Sequence, residues 1–181
     1  MDTFPLTVGS VTRALPVVRV SPTRSIPLIE MLGDFELTNA VADELAKLIP
    51  LETEMLFTVE TSGVALGHAV AERLNLPYKV ARRHRRSYFK NPLIQEVEGM
   101  TLGVHDTLWL DGRHAEQLVG KRVSILADVV VSGSTNASLA KLVERAGGIV
   151  LGYYSGFVQG EPTIPVNYVY RLPTQLEGTP V

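Results

Sequence analysis

The chain has 181 residues, 45% of them hydrophobic and 20% charged, with a formal net charge of −2. That is enough apolar material for a substantial core and too little charge for a disordered chain, so one domain spanning 1–181 is expected. With no cysteine, four scattered histidines and no apolar run near 18 residues, disulfide scaffolds, thiolate zinc sites and helical membrane spans are excluded. The N-terminus lacks a signal-peptide pattern, so the expectation is a cytoplasmic protein without a membrane partner.

Residues 1–27 are rich in Pro, Thr, Ser and Val, and Pro5, Pro16, Pro22 and Pro27 break any long helix. Short extended pieces such as Val17–Val20 are expected there. From Met31 to Ile49 the pattern changes to an amphipathic helix, with Asp34 as N-cap and Leu37, Val41, Leu45 and Leu48 at helical spacing. An apolar strand follows at Glu54–Val59, then Glu60, Thr61, Ser62 and Gly63, then a helix over about Val64–Leu74. A third short strand at Pro77–Ala81 completes a βαβ unit.

Residues 82–120 open on RRHRRSYFK, with five Arg/Lys side chains and one His in nine residues. Asn91–Gly103 shows no clear period, and Thr107–Leu110 predicts a short strand before a turn at Asp111-Gly112. Val123–Leu126 is a short, partly β-branched run of buried-strand type. Ser132, Gly133, Ser134 and Thr135 follow, then a helix carrying Leu139, Leu142 and Val143 on one face, and a strand at Ile149–Tyr154. The tail from Gly156 holds four prolines and an alternating strand candidate, Val166–Leu172.

Two βαβ units imply a doubly wound α/β core with a mostly parallel central sheet flanked by helices. Ligands of such sheets bind beyond the carboxyl ends of the strands, where both glycine-containing loops fall, so the two loops are expected to form one site. Strand, small-residue loop, helix directs backbone N–H groups and a helix N-terminus at one anion. Hydroxyls at Ser132, Ser134 and Thr135 add donors, and Gly133 admits a ligand close to the backbone. The local pattern alone also fits an ordinary βα turn, and Glu60–Gly63 also fits a plain helix start capped by Ser62. The arginines suit phosphate through their planar forks. The same run fits a solvated surface; a nucleic-acid patch would call for an aromatic platform and a basic domain, and this one is mildly acidic, so no nucleic-acid partner is expected.

The stretch VSILADVVVSGST resembles the phosphoribosyl pyrophosphate (PRPP) signature of type I phosphoribosyltransferases: four apolar residues, two acids, apolar pairs and a small Ser/Thr/Gly loop. The context FTVETSGVALGHAVAERL is similar to the pyrophosphate loop of the purine members, and the whole lies nearest the adenine/xanthine branch. The resemblance implies that Val131, Ser132, Gly133, Ser134 and Thr135 hold the 5′-phosphate of PRPP and that Glu60, Thr61, Ser62 and Gly63 meet its pyrophosphate. It places Arg82 and Arg83 beside the pyrophosphate as catalytic residues. Asp128, the second acid, orients a ribose hydroxyl directly or through Mg²⁺ and is the metal residue. One departure stands out: the first acid is Ala127. A small N-terminal hood over 1–33 is implied, with Val18 and Arg19 lining the base and Phe157, after the last core strand, stacking on it, although a place for Phe157 in the core fits equally. Residues 82–110 are implied to be a flexible lid, although an ordered β-hairpin fits that stretch equally. The implied activity is Mg²⁺-dependent transfer of a phosphoribosyl group from PRPP to a purine base, as in salvage, by a homodimer. The alternative, motivated by Ala127, is a non-catalytic PRPP- or nucleotide-binding regulator or sensor on the same fold.

Overall fold

The computed structural model describes residues 2–98 and 106–176. Its centre is a five-stranded sheet in the order β10-β9-β8-β4-β5, in which every neighbouring pair runs parallel. The strands are β4 (Met55–Val59), β5 (Tyr78–Ala81), β8 (Arg122–Val130), β9 (Ile149–Val158) and β10 (Val166–Arg171). Helix α2 (Ser62–Leu74) connects β4 to β5, and α4 (Ser134–Arg145) connects β8 to β9. Because β4 and β8 are neighbours while their crossovers depart toward opposite edges, the strand order reverses between them. A crevice opens at such a switch point, beyond the carboxyl ends of the two strands.

Helices cover both faces. Helices α1 (Phe35–Ala46) and α2 pack with each other and bury Leu37, Val41, Leu45, Leu66 and Val70 against Leu56, Leu126 and Phe157. On the other face α4 buries Leu139, Leu142 and Val143 with Phe57, Val123 and Ile125. Alternation along β4 explains the division, since Leu56 and Phe57 point to opposite faces of the pleat. Each fully buried Leu, Val or Phe contributes about 1.5–3 kcal/mol of apolar burial.

The N-terminal segment folds as an antiparallel meander of β1 (Thr3–Val8), β2 (Val11–Ser21) and β3 (Arg24–Pro27). It is tied to the core through Asp34. That carboxylate caps α1 by accepting from the Leu37 amide (3.0 Å) and takes both forks of Arg13 at 2.7 and 2.9 Å. The Arg13 guanidinium outweighs burial and holds the Asp34 carboxyl below the usual carboxylate range.

Part of the segment expected as lid or hairpin is the antiparallel pair β6 (Leu93–Glu96) and β7 (Thr107–Leu110). Residues 99–105 of that stretch lie outside the described residues, as does Met1 of the N-terminal segment. Beyond β7 the short helix α3 (Gly112–Glu116) is capped by Asp111, whose side chain is 2% exposed, accepts from the Arg113 amide at 3.1 Å and pairs with the Arg113 guanidinium. The hydrogen bonds from Arg113 outweigh desolvation and hold the Asp111 carboxyl far below the usual range. A carboxylate depressed in this way adds stability above its unfolded value, and that stability disappears as pH falls through the folded value. The Asp111→Asn variant should therefore lose about 1–2 kcal/mol at pH 7, a cap bond plus a half-exposed pair. The gap should begin to narrow below the ordinary carboxylate range, where acid protonates this carboxyl in the unfolded chain while the native one stays ionised, which urea unfolding at pH 7 and pH 3 would measure.

Among the described residues no helix is long and apolar enough to cross a membrane.

Candidate functional site

The crevice predicted by the topology holds a cavity of about 230 Å³. Val59, Glu60 and Ser62 line it from the end of β4 and the start of α2; Ala127, Asp128 and Val129 from the end of β8; Thr135, Asn136 and Leu139 from α4; and Arg83 from beyond β5. The two loops singled out in the sequence do meet in one place. Of the residues named there, Glu60, Ser62, Arg83, Asp128 and Thr135 line the cavity, whereas Thr61, Gly63, Arg82 and Val131–Ser134 stand on the adjoining segments.

The β4 side is built around Glu60. Strands β4 and β5 run parallel as neighbours, so their ends lie side by side, and the Glu60 amide donates to the Ala81 carbonyl at 3.0 Å. Glu60, whose side chain is 11% exposed, accepts from the Arg83 amide at 2.6 Å, from the Arg82 guanidinium at 2.9 Å and from Arg86 at 3.4 Å. Burial alone would raise the Glu60 carboxyl; the Arg83 amide, the Arg82 bond and the charges of Arg82 and Arg86 outweigh it and hold it below the usual range. Arg83 is gripped twice more, donating to the Glu60 carbonyl at 3.3 Å and pairing with Asp106. Arg82 exchanges backbone hydrogen bonds with Trp109 of β7 at 2.8 and 2.7 Å. The basic run is thus anchored on both sides, by the acid just beyond β4 and by the backbone of β7.

Helix α2 starts at Ser62 with Thr61 as N-cap, one to two residues earlier than the sequence suggested, and the Thr61 side chain makes no cap bond. The Glu60–Thr61 peptide is cis. Gly63 is there for space: a Cβ would lie 2.5 Å from the Thr58 hydroxyl, and Thr58 is 1% exposed in β4. Gly63→Ala should lower unfolding stability by about 1–3 kcal/mol through overpacking. In a Thr58→Ala background the same change should reverse sign, since Ala is favoured over Gly in a helix by up to about 1 kcal/mol. Denaturant midpoints of the four proteins of that cycle check this.

On the β8 side the strand runs on to Val130, so Asp128 lies within it rather than in a loop. Val131 and Ser132 turn the chain, and Gly133 at φ +84° caps α4, making Ser134 and Thr135 the first residues of the helix. The Ser132 hydroxyl lies 3.1 Å from that of Ser134 and accepts from the Ser134 amide at 3.3 Å, while the Ser132 carbonyl accepts from the Thr163 amide at 3.0 Å. The free amides of the first turn give this end of α4 its attraction for anions.

The base side is not assembled in the same way. Val18 is half-buried in β2 opposite Ile26, and the exposed Arg19 donates to the Ser21 carbonyl at 3.2 Å and to the Pro22 carbonyl. Neither lines the cavity. Phe157 requires a correction: it lies inside β9, not after it, and is 0% exposed in the core with Leu37, Val41 and Leu126. The strand extends to Val158 because β10 pairs alongside it through Arg171, so both strand neighbours and both faces are covered. A side chain so enclosed has no face to offer a base.

Asn136 was not singled out from the sequence, Leu139 was named only as part of an apolar helix face, and the pairing of Asp106 with Arg83 was not foreseen. Asn136 belongs to the helix that follows the small-residue loop, and an Asn near a helix start reads as local turn chemistry. Of the acids that could stand in for a missing one at position 127, Asp106 is engaged by Arg83 and Asp111 by Arg113. Neither they nor Glu96 line the cavity.

No protein-family model matches the sequence. In sequence the chain is similar to the xanthine phosphoribosyltransferase of Chloroflexus aurantiacus, with 32% identity over 121 residues, 65% of this chain and 56% of that protein. It is also similar to a hypoxanthine/guanine phosphoribosyltransferase of Methanocella paludicola, 26% identical over 115 residues, 64% of this chain and 56% of that protein. The crystal structure of adenine phosphoribosyltransferase from Rhodothermus marinus superposes with a TM-score of 0.70 at 26% identity, over 87% of this chain and 94% of that one. The chain is similar in sequence to purine phosphoribosyltransferases and has the type I phosphoribosyltransferase fold. Its matched stretch spans just over half the length of those two curated relatives. The structural likeness covers more of the chain than the sequence match does, 87% against 64% and 65%.

Proposed function

We propose that this protein transfers a phosphoribosyl group from PRPP to a purine base, releasing pyrophosphate. The observation that carries the reading is the convergence on one cavity of Glu60, Ser62 and Arg83 from one crossover with Asp128 and Thr135 from the other. In this reading the amides of 61–63 and Arg83 meet the departing pyrophosphate, whose charge grows as the C1′–oxygen bond lengthens. The first turn of α4 and the hydroxyls of Ser132, Ser134 and Thr135 hold the 5′-phosphate. Asp128 lies between them and accepts from a ribose hydroxyl.

Mg²⁺ fits this donor set as a companion of the substrate. Among the described residues no three His, Cys, Asp or Glu side chains come together that could hold an ion alone, and Glu60 is saturated by arginines. Magnesium keeps most of its waters and takes oxygens from substrate phosphates, so Asp128 is the residue to meet it, directly or through water. When bound, the ion neutralises charge on the pyrophosphate.

Water would intercept a ribosyl centre with cationic character, so the site has to close before the bond breaks. Residues 82–110 are proposed as that closing element and 1–33 as the hood over the base. A cytoplasmic homodimer, with Arg82–Arg86 near the subunit contact, belongs to the same proposal. Ala127 favours a second reading, a PRPP- or nucleotide-binding sensor, since binding survives where catalysis fades. Titrating PRPP with Mg²⁺ by calorimetry, then adding adenine, guanine, hypoxanthine and xanthine while assaying pyrophosphate, separates the two. Pyrophosphate release with one base supports the enzyme; saturable binding with no release supports the sensor; no PRPP binding overturns both.

A further inference from the structure

Asn136 is the third residue of α4, 4% exposed, and its side-chain Nδ2 has no hydrogen-bond partner among the described residues. It lines the cavity beside Thr135 and Leu139, with Ala127 and Asp128 forming the β8 wall. A buried amide donor without an acceptor is rare, because its hydration is lost and nothing replaces it. Ordinary packing offers cheaper residues: the adjoining cavity positions Leu139 and Val129 are apolar and need no partner. Ala127 contributes only a methyl group, so that position of β8 supplies no acceptor either. The acceptor that satisfies Asn136 therefore comes with whatever fills the cavity.

We propose that Asn136 is a positioning residue that donates its carboxamide N–H to an oxygen of a bound phosphoribosyl ligand. This rests on reading the cavity as a PRPP site. The amide belongs to the same first turn of α4 whose backbone N–H groups favour negative charge, so donor and helix act on one anionic ligand. A carboxylate at position 127 would accept from a ribose hydroxyl; the pair Ala127 and Asn136 instead presents a donor from the opposite wall. The site thereby favours oxygens with free lone pairs, those of the pyrophosphate or the ribose, over hydroxyl protons.

The test is calorimetric titration of PRPP, inorganic pyrophosphate and ribose 5-phosphate, each with Mg²⁺, into the native 181-residue chain, Asn136→Ala and Asn136→Asp, with a melting curve for each ligand-free protein. Asn136→Ala should weaken PRPP by roughly tenfold to a hundredfold, as loss of a bond to a charged group does. It should leave the ligand-free melting temperature unchanged or higher, since the amide Nδ2 makes no bond within the described protein. Asn136→Asp keeps the shape, so it is read even where the Ala variant does not fold, and it should weaken PRPP at least as much. Whichever fragment, pyrophosphate or ribose 5-phosphate, loses affinity alongside PRPP carries the acceptor oxygen. Affinity within twofold of native in both variants, or a lowered melting temperature with affinity unchanged, overturns the proposal and makes Asn136 structural. Failure of the native protein to bind any of the three ligands overturns the PRPP reading itself, and this assignment with it.

Discussion

Replacing Asp128 by Asn is expected to lower kcat/KM for PRPP by about a hundred- to a thousandfold, the usual effect of removing one preorganised electrostatic partner of a transition state. The magnitude follows from the residue's isolation. In the signature this sequence resembles, two adjacent acids share the ribose, so either could partly cover for the other. Here Ala127 precedes Asp128, and Asp106 and Asp111 are committed to Arg83 and Arg113. Asparagine keeps the shape but not the charge that attracts a ribose gaining positive character. Folding should be nearly untouched. The Asp128 backbone carbonyl is held by the Ser155 hydroxyl at 3.2 Å, and β8 pairs with β9 on either side of position 128, so the strand end is placed by main-chain contacts. Steady-state kinetics beside a melting curve checks both halves. A drop in kcat/KM of less than fivefold would remove Asp128 from the reaction, and an equal loss of stability would make it structural.

The parallel core was legible because its strands are short apolar runs and its helices carry regular stripes. Leu56 with Phe57, or Leu139 with Leu142 and Val143, announce their faces without help from neighbours. The two loops were legible for a related reason: Gly133 and Gly63 mark places where a side chain meets a forbidden φ or a close neighbour. Legibility failed where tertiary pairing overrides local pattern. Asp128 looks like a strand terminator, yet β8 continues to Val130 because β9 runs beside it. Phe157 looked like a residue beyond the last core strand, yet β10 extends the sheet past it. The half-buried, four-residue β6 has too little length to show a period, and its identity depends on its partner β7. The arginine run was readable as a local concentration of charge, but not its capture by Glu60. That contact exists only because β4 and β5 end side by side, 22 residues apart in sequence for Glu60 and Arg82. Asn136 escaped notice because a buried unpaired amide cannot be seen in one dimension.

Gly133→Val is the substitution expected to damage both fold and site most. Gly133 caps α4 at φ +84°, a region that costs a non-glycine residue about 1–2 kcal/mol and a β-branched one more. A Cβ there would lie 2.7 Å from Ile164 Cγ1 and 3.0 Å from Cδ1, so the loop between β9 and β10 would have to shift as well. That loop is bonded back to the site, since the Thr163 amide donates to the Ser132 carbonyl at 3.0 Å. Pushing Ile164 away therefore moves the segment bonded to the turn proposed to bind the 5′-phosphate. A loss of about 3–4 kcal/mol in unfolding free energy is expected, from the φ penalty and overpacking together. The affinity for PRPP and for ribose 5-phosphate should fall by at least tenfold, because amides displaced from an anion lose bonds worth about 1.5–3 kcal/mol each. A double-mutant cycle separates the two causes. Gly133→Ala with Ile164→Ala should recover the steric part while the φ penalty remains, leaving a deficit of about 1–2 kcal/mol relative to Ile164→Ala alone. Full recovery would mean that the turn tolerates an ordinary residue and that glycine serves only to make room for Ile164. No recovery would mean that backbone conformation alone requires it.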